Sequence, residues 1–288
     1  MKKLIIIIMF LIPIFKSSLK ETTFLFNSKT PNIIVHLKDK DLYLDLNDYI
    51  IGVVASEMPA LFEEEALKAQ SIASRSYAAS KLKDNQIEIS STTNDQVYSE
   101  NFLLQDKWKE EYRKYYDKIA NTVKSTKNKV IKRNGKILKT YYFSMSNGYT
   151  QSSQTVFKED TFTSVVSPED TTNKNYKVSK NYTSEELQRL INVNNLEDIN
   201  IKRTQTNHID TITIDDKTYT GIEFRKLLNL RSTDFEIIQN ENNVTITTIG
   251  YGHGVGMSEY GANKMAKEGA TYEKILNHYY QNTKIENI

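Results

Sequence analysis

Glu57 has a setting suited to proton transfer. It follows Val53-Val54-Ala55-Ser56 and precedes Met58-Pro59-Ala60. It therefore stands among apolar neighbours at the end of a helix that Pro59 breaks. Desolvation there disfavours the carboxylate and raises its pKa, as a general acid working near neutral pH requires. A solvated helix-end glutamate fits the same pattern, and the position alone leaves both readings open. Lys68 and Arg75 lie seven residues apart in the following helical run and share one face. They position an anionic or polyhydroxylated ligand, or they are ordinary solvated positions.

Two further segments carry chemical groups. Tyr141 to Ser153 runs from a strand into Ser146-Asn147-Gly148-Tyr149-Thr150-Gln151, a cluster of hydroxyl and amide side chains around an aromatic ring. Sugars bind through such hydrogen bonds and ring faces, so the composition fits a glycan cleft; a polar turn has the same look. In the second, Gly250-Tyr251-Gly252-His253-Gly254-Val255-Gly256-Met257-Ser258-Glu259, four of the chain's 10 glycines fall within seven residues. Glycine permits positive φ and close backbone approach, and the helix opened by Ser258 presents free N–H groups. The segment lacks the Gly-Lys-Ser/Thr of a phosphate loop. His253 is either a ligand-facing donor or a structural residue.

The elements that must position these groups are mixed. Thr22–Phe26, Ile33–Leu37 and Leu42–Leu46 read as strands, Asn47 to Glu57 and Glu63–Lys83 as helices, and Lys107–Lys124 as a further helix carrying the single Trp. Lys129–Lys139 is a hairpin turning at Asn134-Gly135. Pro168–Lys180 reads as loop, Thr183–Leu196 and Gly221–Leu230 as helices, and Asp210–Thr220 and Phe235–Ile249 as hairpins. Met257–Gly269 and Tyr272–Tyr280 close the chain as helices. Without regular strand–helix alternation, the pattern predicts an α+β fold: a main body holding the three segments and a smaller lobe at about 168–230.

The 288 residues carry 38 Lys+Arg against 36 Asp+Glu, a net +2 that gives no general field for nucleic acid. Residues 106–139 hold 12 basic and 4 acidic side chains, a local +8. That is a solvated face or a surface for anionic wall polymer. With no Cys, disulfides, thiol nucleophiles and thiolate metal centres are excluded, and the four His are too scattered for a multi-histidine site. Met1-Lys2-Lys3 followed by an apolar run from Leu4 to Phe15 is the layout of a secretory signal or signal-anchor. With no Ala-x-Ala-like cleavage site, we expect residues 1–20 to be an uncleaved anchor and 21–288 to lie outside the cytoplasmic membrane.

Taken in order, Val-Val-Ala-Ser-Glu-Met-Pro-Ala with Glu-Ala-Leu-Lys-Ala-Gln, then Ser-Asn-Gly-Tyr-Thr, then Gly-His-Gly-Val-Gly-Met-Ser resemble the stage II sporulation protein D family, of the SpoIID/LytB superfamily. The closing Tyr272–Tyr280 fits as well, and the resemblance spans roughly Leu42 to Thr283. It implies a lytic transglycosylase that cuts peptidoglycan glycan strands, preferably strands stripped of peptides, during engulfment of the forespore by the mother cell. It implies two companions, the stage II sporulation proteins P (an amidase) and M (a membrane protein). By motif position Glu57 becomes the catalytic acid, and Lys68 and Arg75 match residues linked to activity. Substrate binding falls to Ser146, Asn147, Gly148, Tyr149, Thr150, Gln151, His253, Gly254, Gly256, Met257, Ser258 and Glu259. Two departures stand out. Some family members bind zinc through a His and two Cys near the second segment, whereas this Cys-free chain has Phe143-Ser144-Met145-Ser146, so no metal and no cofactor is expected. The family pattern has Gln after Met-Ser, where this chain has Glu259, a possible second carboxylate. A muramidase-type hydrolase using Glu57 with Glu259, and a non-catalytic glycan-binding module that recruits an amidase, are the alternatives.

Overall fold

The computed structural model describes residues 33–168 and 171–288; the expected anchor and the expected strand Thr22–Phe26 lie outside them. Strands β1 (Ile34–Leu37) and β2 (Leu42–Asp45) form an antiparallel hairpin that leads into α1 (Leu46–Glu57). Asp45 starts that helix, its carboxylate accepting the Asn47 N–H at 2.8 Å. Tyr49, Ile50, Val53, Val54 and Ala55 are all fully buried, so α1 is a core helix covered on every side. It packs on α2 (Glu64–Ala79), where Ala66, Ala69, Ala73 and Ala78 let neighbours approach closely.

β3 (Gln86–Ile89) pairs parallel with β1. The helix expected from Lys107 to Lys124 is two helices, α3 (Asn101–Trp108) and α4 (Tyr112–Ser125), separated by a 3-10 turn at Lys109–Glu111. Lys109 takes φ 49°, which no continuous helix accommodates. β4 (Lys129–Arg133) and β5 (Lys136–Ile137) form the expected hairpin at Asn134-Gly135. β6 (Tyr142–Phe143) and α5 (Ser153–Phe157) follow.

A second apolar cluster, separate from the first, gathers Leu187, Ile191, Ile212, Phe224, Phe235 and Ile246 among its members. It is built from β7 (Lys177–Thr183), α6 (Ser184–Ile191), β8 (Ile199–Arg203), β9 (Ile209–Ile214), β10 (Lys217–Thr220), α7 (Gly221–Leu227), β11 (Phe235–Asn240) and β12 (Asn243–Ile249). Two antiparallel sheets result, ordered β11-β12-β7 and β10-β9-β8. The helix expected to reach Leu196 stops at Ile191, because Asn192 turns left-handed at φ 54° and ends it. Part of the stretch expected to be loop, from Lys177 onward, is strand, because it pairs along β12.

The chain then returns to the first core through β13 (Met257–Ser258), α8 (Glu259–Lys267), α9 (Tyr272–Tyr279) and β14 (Lys284–Asn287), which pairs with β4. Met257 and Ser258, expected to be helical, are a short strand parallel to β6. The Ser258 hydroxyl caps the helix that begins after it, accepting the Gly261 N–H at 3.1 Å. The architecture is mixed α+β. Among the described residues, no helix is long and apolar enough to cross a membrane.

Candidate active site

Glu57 ends α1, and a polar loop, residues 90–99, crosses over that end. The crossing is possible because position 52 is glycine: a Cβ there would come within 2.2 Å of the Tyr98 ring and 2.9 Å of the Ser99 carbonyl. The loop donates the Val97 N–H to Glu57 Oε1 at 3.0 Å. It is pinned beneath by buried Gln96, which accepts from the Tyr49 hydroxyl at 3.1 Å and donates to the Tyr142 hydroxyl at 2.7 Å. Lys107, from α3, donates to the Ala55 carbonyl at 3.0 Å and satisfies the exposed end of α1 beside the carboxyl.

Two cavities meet at this carboxyl. One, of about 750 Å³, is walled by Tyr77, Tyr141, Phe157, Arg225, Tyr251 and His253 among others. The other, of about 370 Å³, is walled by Leu61, Lys107, Trp108, Tyr115 and Tyr260. Ser56, Glu57 and Ser144 belong to both. The acid thus stands in the middle of a groove with an aromatic-lined arm on each side.

Burial raises the Glu57 pKa to about 7, against the smaller lowering by the Val97 N–H. Glu259, the first residue of α8, lies in the same wall with only 2% of its surface exposed. Its Oε1 has no hydrogen-bond partner among the described residues. Burial first, and the Glu57 charge second, push its pKa well up, both disfavouring its ionised form. His253 is held neutral, its pKa lowered to about 4 mainly by burial. Its Nδ1 accepts the Val255 N–H at 3.1 Å, and its ring packs 5.1 Å from that of Phe157.

Of the sequence-predicted residues, the structure brings Glu57, His253 and Glu259 together. Lys68 is elsewhere, paired with Glu64 at 3.0 Å and Glu65 at 2.8 Å. Arg75 is fully buried and donates to the carbonyls of Val123, Thr126 and Lys129, holding the end of α4 against β4. Tyr141, Tyr142, Phe143 and Ser144 line the larger cavity, but residues 146–151 lie outside the cavity walls, because their polar groups bond to the protein itself. Ser146 donates to the Ser167 carbonyl at 3.3 Å. Asn147 donates to the Thr206 carbonyl at 2.9 Å and to Asp234 at 2.7 Å. Gly148 accepts from the Ser167 N–H, Thr150 bonds to Val165, and Gln151 bonds to the carbonyls of Gly254 and His253. Tyr149 is 45% exposed and pairs with Val166. Gly254, Gly256, Met257 and Ser258 shape the wall from behind. A Cβ at Gly256 would lie 1.9 Å from the Tyr141 carbonyl, so only glycine lets β13 reach β6. Sequence reasoning missed Asn94, Val97, Trp108, Arg225 and Tyr251 as site residues. Tyr251 sat inside the flagged glycine segment and Trp108 was the chain's single Trp; the others gave no local signal. Among the described residues, no group of three or more His, Asp or Glu side chains is arranged to hold a metal ion.

Comparison with known proteins gives a consistent result. The family model for the stage II sporulation protein, SpoIID, matches residues 40–132. The stage II sporulation protein D of Bacillus subtilis (strain 168) is 38% identical over 255 residues, covering 84% of this chain and 74% of the relative. That of Bacillus amyloliquefaciens is 36% identical over 256 residues, with the same coverage. The amidase enhancer of Bacillus subtilis is 28% identical over 296 residues, covering 81% of this chain and 39% of the relative.

Proposed function

This chain belongs to the stage II sporulation protein D family, and from that premise we propose that it is a peptidoglycan lytic transglycosylase acting on peptide-stripped strands in sporulation. The observation that carries the reading is Glu57, a carboxyl titrating at about 7 in the middle of an open groove. Glu57 protonates the oxygen bridging N-acetylmuramic acid to N-acetylglucosamine. The resulting carboxylate then accepts the proton of the muramoyl C6 hydroxyl as that oxygen attacks C1 and closes a 1,6-anhydro ring. The proton count balances on one carboxyl, and no water is consumed.

A hydrolase would need a second carboxylate, ionised and within reach of water or of C1. Glu259 is poorly suited to either task, because it is buried and both its burial and the Glu57 charge disfavour its ionised form. The non-catalytic reading draws on the relative named amidase enhancer; it leaves the raised pKa of Glu57 without a use. In the proposed setting the chain is held to the cytoplasmic membrane by its first 20 residues, on the mother-cell side. It works there beside the stage II sporulation proteins P and M. Mass analysis of digested peptide-free glycan tests the reaction. Anhydromuramic ends are the expected product, reducing muramic ends would replace it with hydrolysis, and uncut strands would leave the binding module.

A further inference from the structure

Each arm of the groove carries one cation that has no carboxylate partner among the described residues. On the larger arm, Arg225 is half-buried; its Nε–H donates to the Leu230 carbonyl at 3.2 Å, and its terminal amino groups have no protein acceptor among the described residues. On the smaller arm, Lys107 is exposed, spends one donor on the Ala55 carbonyl and holds its ammonium 5.7 Å from the Trp108 ring centroid. Among the described residues, neither has a carboxylate within ion-pair distance. Cations nearby behave otherwise: Lys81 is paired with Asp95, Lys109 with Asp106 and Arg203 with Asp234. Desolvation lowers the pKa of both Lys107 and Arg225, a cost that an incoming anion would offset.

The rest of the groove does not repel an anion. Asp95 on the larger arm is paired with Lys81, burial disfavours the ionised form of Glu259, and Glu57 is largely protonated below about pH 7. The field of Arg225 reaches the groove wall, where it helps keep His253 neutral. A glycan whose alternate sugars are muramic acid carries a lactyl carboxylate on each such sugar once the peptide is gone; with the peptide attached, that carboxyl is an uncharged amide. A strand cut beside Glu57 places one muramic residue on each side of the acid.

We propose that Arg225 and Lys107 read these free lactyl carboxylates, one on each side of Glu57, and so select strands from which the peptides have been removed. The inference rests on the glycan reading above, and its test does not depend on cleavage. Binding of the full chain carrying Glu57→Gln is measured on peptide-free strands and on the same strands with the lactyl carboxyls converted to amides by carbodiimide and ammonia. A charge-assisted hydrogen bond lost at each of the two carboxylates, at roughly tenfold apiece, predicts about 100-fold weaker binding of the amidated strands. Arg225→Gln or Lys107→Gln, added singly, should weaken binding of the free strands roughly tenfold, one contact's share, and leave the amidated strands unchanged. Arg225→Lys and Lys107→Arg should retain most of the discrimination. Equal binding of the two strands, or variants that weaken both alike, would overturn the proposal. Discriminating binding together with wild-type chain that releases no anhydro ends would overturn the transglycosylase reading and uphold this one.

Discussion

The main-chain N–H of Val97 donates to Oε1 of Glu57 across 40 residues of sequence. Two opposed effects act on that carboxyl: burial disfavours its charge, and the hydrogen bond favours it. Burial wins, since the pKa stands at about 7 against 4.5 for an ordinary glutamate. The outcome leaves a proton available at neutral pH and a partner waiting for the carboxylate once the proton has gone.

The first expectation concerns stability. The folded pKa lies above the unfolded one, so the contribution of Glu57 is intact below about pH 4.5 and is lost as pH rises through about 7. Glu57→Gln removes this loss. Variant and parent should unfold alike at about pH 4, and the variant should be the more stable at about pH 8, by on the order of 2 kcal/mol. Denaturant melts at the two pH values check this; a constant offset would contradict the buried-carboxyl picture.

The same substitution should lower strand cleavage by about 10²- to 10⁴-fold, the usual cost of a lost general acid. In the parent, kcat/KM should fall as pH rises through about 7, because the acid must carry its proton. Release of anhydro ends from peptide-free glycan across pH gives both measurements. A variant retaining near-parental rates would remove Glu57 from the chemistry.

Glu259→Gln replaces a buried carboxyl, whose Oε1 has no partner among the described residues, with an amide of the same shape. It should cost less than about tenfold in rate and should stabilise the fold at alkaline pH, where the buried carboxyl would otherwise be forced to ionise. A variant as crippled as Glu57→Gln, with reducing ends from the parent, would favour hydrolysis.

Arg75→Leu and Lys68→Ala separate support from catalysis. The first strands the carbonyls of Val123, Thr126 and Lys129 and should cost about 2–4 kcal/mol of stability. The second loses part-buried ion pairs with Glu64 and Glu65 on the helix surface, worth about 1 kcal/mol. Neither should change kcat per folded molecule; active-site titration beside thermal melts decides, and a selective loss of kcat would return these residues to the site.

Gly52→Ala places a methyl group against the Tyr98 ring. Relief requires the loop at 90–99 to lift, which draws the Val97 N–H away from Glu57. The expected result is a loss of about 1–3 kcal/mol in stability together with an activity loss larger than the unfolded fraction explains. The distance from acid to loop, read in a crystal structure of the variant, would show whether the loop has moved.

Glu57 and His253 were legible in the sequence because apolar runs, Pro59 and clustered glycines are local signals. The parts that aim Glu57 were not. Gln96 and Val97 lie in a polar stretch without periodicity, and their role follows from a loop crossing a distant helix end. Arg75 shows a different limit: spacing placed it on one face with Lys68 but could not say whether that face met solvent, ligand or the carbonyls of α4. Residues 146–151 show a third. Hydroxyl and amide groups that could bind sugar are spent on the chain itself, with Asn147 on Asp234 and Gln151 on the His253 carbonyl. Composition does not distinguish the two uses.

Gly256 sits where any side chain would drive into the Tyr141 carbonyl, so the way two short strands meet demands glycine there whatever chemistry the groove performs. The glycine-histidine signature therefore diagnoses ancestry and says little about reactivity. A duplicated copy that exchanged Glu57 for glutamine would still display the signature and the groove while having lost its blade. Sorting the members of such a lineage into cutters and holders requires reading the single position at the end of α1.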